Sequence, residues 1–417
     1  MLAQHIVSET EKYDEIKAYL NFFDVHAWEK YTGISTWQIE SDNSNSNGYE
    51  PVAVQQRREV MLALNICTYH RHEQIEKNIK KLMTMKFFDS KEADYFGHLY
   101  IFIVDNEAGE GSALALEGCV NNYLKVIPNR NTGGSGGFQK GLEYIRAYDF
   151  EFTHVIFMDD DADFLPETFY RLYALLAYMK PEYFNRSVAG RMFCLDYPSV
   201  QYTAAEIWNK GFLKHVAFME DMSEMADRDA DADEENDSMT NTYSSLNYSE
   251  EADYGGWWFC CYPYEFCSKN DVMPFFIHCD DVEYGLRFLE NGGGRPIILN
   301  GIQVWHETAV YRQSPIIQYY DMRNPLFVNE KYALMDYTEM LEMWKARISS
   351  FHACGDYASE YYTILALMDF TKGVDWLYKI DSEKNHKKLG KRKSSRFKNS
   401  VLWRLADWKF KNKYLSR

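Results

Sequence analysis

The sequence predicts an α/β protein with a mostly parallel central sheet and a helical C-terminal region. Apolar runs of strand length alternate with amphipathic helical patterns from residue 59 to residue 179, the rhythm of βαβ units. Beyond Asn385, Phe397, Val401, Leu402, Leu405, Trp408 and Phe410 recur at three- and four-residue steps, a helical stripe ringed by Lys and Arg. With 417 residues, of which 46% are hydrophobic, the chain can bury a large core.

The elements follow in order. EVMLALNICTY (59–69) reads as a buried strand, and EQIEKNIKKLM as a helix with Ile75, Ile79 and Leu82 on one face. HLYIFIVDN (98–106) and NYLKVIPN (122–129) are the next strands, and GGFQKGLEYIRAY is helix-like. THVIFMDD (153–160) is a fourth strand, and a helix follows whose Pro166 suits a first turn. In FIHCDDVEYGLRF (276–288), Asp280, Asp281 and Glu283 open another helical pattern, and His306 closes the apolar run PIILNGIQVW.

Composition narrows the class. No run approaches the ~20 apolar residues of a spanning helix, and the first residues lack a signal-peptide core. Eight scattered cysteines without metal spacing argue against structural zinc or a disulfide framework and suggest a reducing cytoplasm. The net charge of −17 argues against nucleic acid as a general partner. Charge is uneven: residues 220–237 hold ten acids and one Arg, whereas residues 384–417 hold thirteen Lys or Arg and one acid.

Three stretches carry chemistry. In FMDDDAD (157–163) a strand ends in carboxylates, where ligands of parallel sheets sit. Asp159 and Asp161, two apart, share a face, and paired hard oxygens suit Mg²⁺ or Mn²⁺ with a diphosphate. PNRNTGGSGGFQKG (128–141) places Gly133, Gly134, Gly136 and Gly137 between strand and helix, where a ligand can approach the backbone. It is neither a Walker loop nor a GxGxxG fingerprint. Asp280, Asp281 and Glu283, at a helix start, are the candidates for a general base. YGGWWFCCYP (254–263) is a candidate sugar-stacking platform.

In this order, TY-H-R, VDN, N-x-GG-x-GG, DDD, GGWW, DDVEYGLR, WHE and YYDMRN resemble the family-2 inverting glycosyltransferases of the GT-A fold, most closely the galactofuranosyltransferase branch. AYLNFFDVHAWEKYTG (18–33) is similar to a segment those enzymes carry ahead of the catalytic domain. The resemblance implies that Asp159, Asp161 and His306 hold Mn²⁺ or Mg²⁺ and that Asp160 lies with them at the donor. It implies Asp281 as base with Asp280 on the acceptor hydroxyl, and Thr68, Arg71 and Asp105 at the uridine. Asn131 and the glycines would line the donor, and Trp257 and Trp258 would shape the donor and acceptor pocket.

The implied partners are a UDP-galactofuranose donor and a glycan or lipid-linked glycan acceptor; a homo-oligomer is compatible with the resemblance. A rhamnosyltransferase using a dTDP sugar, or a non-catalytic carbohydrate-binding protein, is the alternative. The expected organisation is a leading remnant over 1–50, a catalytic domain over 51–335 with an acidic mobile insertion at about 220–250, and a helical region over 336–417. The basic amphipathic tail would hold the protein on the cytoplasmic face of the cell membrane, against anionic lipid.

Overall fold

The structure is a computed structural model that describes residues 25–33, 57–107, 120–222, 250–308 and 314–416. Most of the expected leading segment, and the acidic insertion between residues 223 and 249, lie outside the described residues.

Helix α1 (Val25–Thr32) precedes β1 (Leu62–Thr68), α2 (His72–Met83), β2 (Leu99–Asp105), β3 (Leu124–Pro128), α3 (Gly133–Ala147) and β4 (His154–Asp159). Next come β5 (Asp163–Phe164), α4 (Pro166–Tyr178), β6 (Val188–Cys194), β7 (Val200–Thr203), the hairpin strands β8 (Ala205–Asn209) and β9 (Phe212–Val216), and β10 (Glu220–Asp221). After β11 (Cys260–Pro263) and α5 (Tyr264–Lys269), α6 (Asp280–Phe288) leads to β12 (Ile297–His306). Six α-helices follow among the described residues: α7 (Ile317–Lys331), α8 (Tyr337–Ala353), α9 (Tyr357–Phe370), α10 (Val374–Lys379), α11 (Ser382–Gly390) and α12 (Arg396–Phe410).

The predicted parallel half is present in the order β3-β2-β1-β4. Beyond β4 the sheet is mixed. Strand β11 runs antiparallel between β4 and β6, and β12 lies parallel to β6. Alternate residues serve opposite faces, as the pleat requires. Leu62, Leu64 and Ile66 pack with Ile75, Ile79 and Leu82 of α2 and with α4, whereas Ala63 joins Phe102, Phe157 and Phe138, Leu142 and Ile145 of α3. A second core lies among α7, α8, α9 and α12, where Leu326, Trp344, Leu367 and Phe410 meet. Met273, Phe275 and Phe276, from the loop before α6, also enter that core, so the C-terminal helices support the loop that carries Asp280 and Asp281.

The expected tail stripe divides in two. Ala406 and Phe410 are buried in the helical core and Leu402 packs against it. Phe397, Val401, Leu405 and Trp408 remain on the outside, Phe397 81% and Trp408 60% exposed. A helix docked along one side must present its core residues inward, so one periodic stripe in the sequence is two faces in the fold. Among the described residues no helix is long and apolar enough to cross a membrane, and the seven cysteines are free thiols.

Candidate active site

Strand register assembles one sheet edge. Thr68 stands opposite Asp105, and Cys67 opposite Asp159. After Asp159 the chain turns through Asp160 and Asp161 into β5, whose Asp163 pairs with Trp305 of β12. That pairing delivers His306 to the acidic turn. Its Nε2 lies 2.9 Å from Asp161 Oδ1 and 3.7 Å from Asp159 Oδ2. One ligand atom from each of the three residues falls within 4.8 Å of the others. Two carboxylates and an imidazole at that spacing fit Mn²⁺ or Mg²⁺.

Arg71 pairs with Asp161 and, at 3.2 Å, with Asp160. Burial, reinforced by Asp161 and Asp160 and opposed by His306, pushes the Asp159 carboxyl up to about 7. Burial also lifts Asp160 to about 6, against the Arg71 charge. For Asp161, burial is outweighed by the His306 hydrogen bond and the charges of His306 and Arg71, which hold it down at about 2. His306 rises to about 9, because its bond to Asp161 outweighs the cost of burying its charge. A divalent cation there would displace these protons and take over the neutralisation.

The glycine run corrects the expected loop. Helix α3 begins at Gly133, and Asn131 Oδ1 accepts the Gly133 N–H at 3.0 Å, so Asn131 shapes the helix start. Gly133 has φ +73°, and a Cβ there would sit 1.9 Å from the Phe276 carbonyl oxygen. Gly136 and Gly137 let the helix close on Thr132 and Cys67, where a Cβ would approach to 2.3 and 2.1 Å. Gly134 alone of the four faces the cavity described below.

The turn before α6 is strained. Phe276, His278 and Cys279 hold φ of 78°, 63° and 67°, values that persist where surroundings over-determine them. Those surroundings come from YYDMRN in α7. Arg323 Nη2 donates to Phe275 O at 2.6 Å, and Asn324 Nδ2 donates to Ile277 O and His278 O at 2.8 and 3.0 Å. His278 Nδ1 lies 2.7 Å from Asp321 Oδ1. The turn presents Asp280 and Asp281 at the α6 N-terminus, and Asp281 Oδ1 accepts the Val282 N–H at 2.7 Å. Burial, then the like charges of Asp280 and Glu206, push the Asp281 carboxyl well up, and burial also raises Asp280. Glu283 is fully buried, paired with Arg287 and Lys331, and is a structural charge.

These parts share one cavity of about 610 Å³, lined by Gly134, Asp159, His306, Asp280, Asp281, Trp257 and Trp258. Trp257 stacks on Phe157 at 4.3 Å, and Trp258 Nε1 donates to Gly190 O at 2.8 Å, which fixes both rings. Thr68, Arg71 and Asp105 lie beyond this wall, at the ends of β1 and β2, where Arg71 reaches Asp160. Sequence reading missed Glu206, with His215 Nδ1 3.2 Å from its Oε1, on the hairpin that roofs the cavity. It also missed Asp321 and Arg347 in the wall. Only Asp321 had a signal, as part of YYDMRN.

No protein-family profile matches the chain. Over 268 residues it is 26% identical to the galactofuranosyltransferase GlfT2 of Mycobacterium tuberculosis, a match covering 63% of this chain and 40% of that one. Over this stretch the chain is similar to a galactofuranosyltransferase. A second such relative, GlfT2 of Mycolicibacterium smegmatis, is 28% identical over 221 residues, 50% of this chain and 32% of that one. The chain thus matches less than half the length of these curated relatives. Among solved structures, the mannosyltransferase PcManGT of Pyrobaculum calidifontis, in complex with GDP-Man and Mn²⁺, overlaps with a TM-score of 0.41 at 12% identity, over 96% of this chain and 98% of that one. S. aureus TarS 1–349 overlaps at 0.42 and 13%, over 85% and 92%.

Proposed function

We propose that the protein is an inverting, metal-dependent glycosyltransferase that moves galactofuranose from UDP-galactofuranose to a hydroxyl of a glycan or lipid-linked glycan in cell-surface polysaccharide synthesis. The observation that supports this most is one cavity lined by both Asp281 and the Asp159–His306 side of the acidic cluster. Asp159, Asp161 and His306 are the residues that would hold Mn²⁺ or Mg²⁺, which as a Lewis acid supplies stabilisation for the departing diphosphate.

The remaining work falls to the protein. Asp281 accepts the acceptor hydroxyl's proton as that oxygen bonds to the anomeric carbon. The carbon–phosphate oxygen bond breaks, and its electron pair leaves with UDP. A single displacement inverts the anomeric centre, and no enzyme nucleophile is required. The raised pKa of Asp281 makes it a stronger base than an ordinary carboxylate, which general-base catalysis rewards. Asp280 orients the hydroxyl beside it, and the fixed Trp257 and Trp258 rings bound the sugar. Thr68, Arg71 and Asp105 take the uridine end.

A lipid-linked acceptor requires access to a membrane surface. The outward stripe Phe397, Val401, Leu405 and Trp408 on α12, among Arg396, Lys398, Arg404 and Lys409, suits a peripheral contact with anionic lipid. The testing experiment is a transfer assay across nucleotide sugars with Mn²⁺ present. Transfer from UDP-galactofuranose is expected. Transfer from dTDP-rhamnose in its place would reassign the donor, and the absence of turnover with every donor would leave a binding protein.

A further inference from the structure

We propose that His70, His72 and Glu107 form a second divalent-metal site, selective for zinc, at the ends of β1 and β2 and separate from the acidic cluster. His70 Nδ1 lies 2.6 Å from Glu107 Oε1, and His72 Nε2 lies 3.3 Å from Glu107 Oε2. The three ligand atoms fall within 4.8 Å of one another. Each imidazole thus faces its own oxygen of one carboxylate, and small side-chain shifts bring all three onto a shared cation at 2.0–2.2 Å.

The donor set decides the metal. Two imidazoles and one carboxylate suit Zn²⁺, whereas the two carboxylates and one imidazole of the Asp159–Asp161–His306 cluster suit harder cations. The backbone holds the ligands in place. His70 and His72 turn toward Glu107, while Arg71 between them turns to Asp160 and Asp161. Glu107 is anchored because its N–H donates to Oδ1 of buried Asp105 at 3.1 Å. The His70 and His72 side chains are 63% and 41% exposed and that of Glu107 is 9% exposed, so a cation can enter without unfolding and keep a position for water. Bound there, zinc ties the turn carrying Arg71 to the end of β2.

The test is equilibrium dialysis of the full, metal-stripped chain against Zn²⁺, with His72→Ala and His306→Ala in parallel. A Zn²⁺ that the wild-type chain binds, that His72→Ala loses and that His306→Ala keeps is expected. His70→Ala with His72→Ala should weaken one site at least tenfold and leave Mn²⁺ uptake unchanged. Should His72→Ala fail to fold by circular dichroism, Glu107→Gln takes its place. In crystals soaked with Zn²⁺, an anomalous peak between the three side chains is expected. A single Zn²⁺ that His306→Ala removes and His72→Ala leaves, or no Zn²⁺ at all, overturns the proposal. In that case Glu107 merely bridges two histidines.

Discussion

Two carboxylate clusters face one cavity, and they are built differently. At the end of β4, Asp159, Asp160 and Asp161 repel one another but meet Arg71 and His306, so Asp161 stays ionised to about pH 2. At the start of α6, Asp281 is pushed up by burial, Asp280 and Glu206, and the Val282 N–H offsets them only in part. The first cluster is partly neutralised and ready to exchange its cationic partners for a metal. The second is poised to take a proton. One residue type serves two roles because its surroundings differ.

The hardest break in that contrast is Asp281→Asn. Shape is retained and the proton acceptor is lost, so turnover should fall by roughly 10²–10⁴-fold. UDP affinity, which belongs to the other cluster, should stay within about twofold. A variant keeping more than about a tenth of wild-type turnover would move the base to Asp280.

Next in size is the clamp beneath the second cluster. Asn324→Ala frees Ile277 O and His278 O and lets the strained turn relax. A displacement of about 1 Å at the base can cost ~10²-fold in turnover. UDP affinity should again hold, and equal loss in both would mean general unfolding.

A pH profile sharpens the comparison. Asp281 must be ionised to act, so the rate should climb as pH rises through its elevated pKa. Asp280→Asn removes a like charge and should move that rise toward lower pH. An unmoved inflection would show that the two carboxyls are not coupled. The smallest effect on turnover lies outside both clusters. Phe397→Ser with Trp408→Ser should abolish co-sedimentation with anionic liposomes, yet leave soluble-acceptor turnover and melting temperature nearly unchanged. These surface changes are the cleaner test, because removing 385–417 would also take Phe410 and Ala406 from the core.

The first cluster was legible in the sequence because a strand end is placed by register. An apolar run and a carboxylate pair mark Asp159 and Asp161, whereas His306 joins them in the sequence only through the family resemblance, and the β5–β12 pairing gives the physical reason. The second was legible only as DD before a helix. The left-handed turn at 276–279 leaves no composition signal, since Phe, His and Cys hold it where glycine would be expected. For Gly136 and Gly137 a ligand loop and close packing are equally compatible with the sequence; only the neighbours Thr132 and Cys67 decide. Glu206 and His215 sit on a hairpin that alternates ordinary residues, so nothing marked them. On α12 the helical period was visible, and which residues turned inward depended on α9 and its neighbours.

The most direct test of the contrast is calorimetric titration of UDP into wild type, Asp161→Ala and Asp281→Asn, each with Mn²⁺ and with EDTA. Tight binding is expected only with Mn²⁺, retained in Asp281→Asn and lost in Asp161→Ala. Equal UDP affinity in Mn²⁺ and EDTA for the wild type would contradict the account.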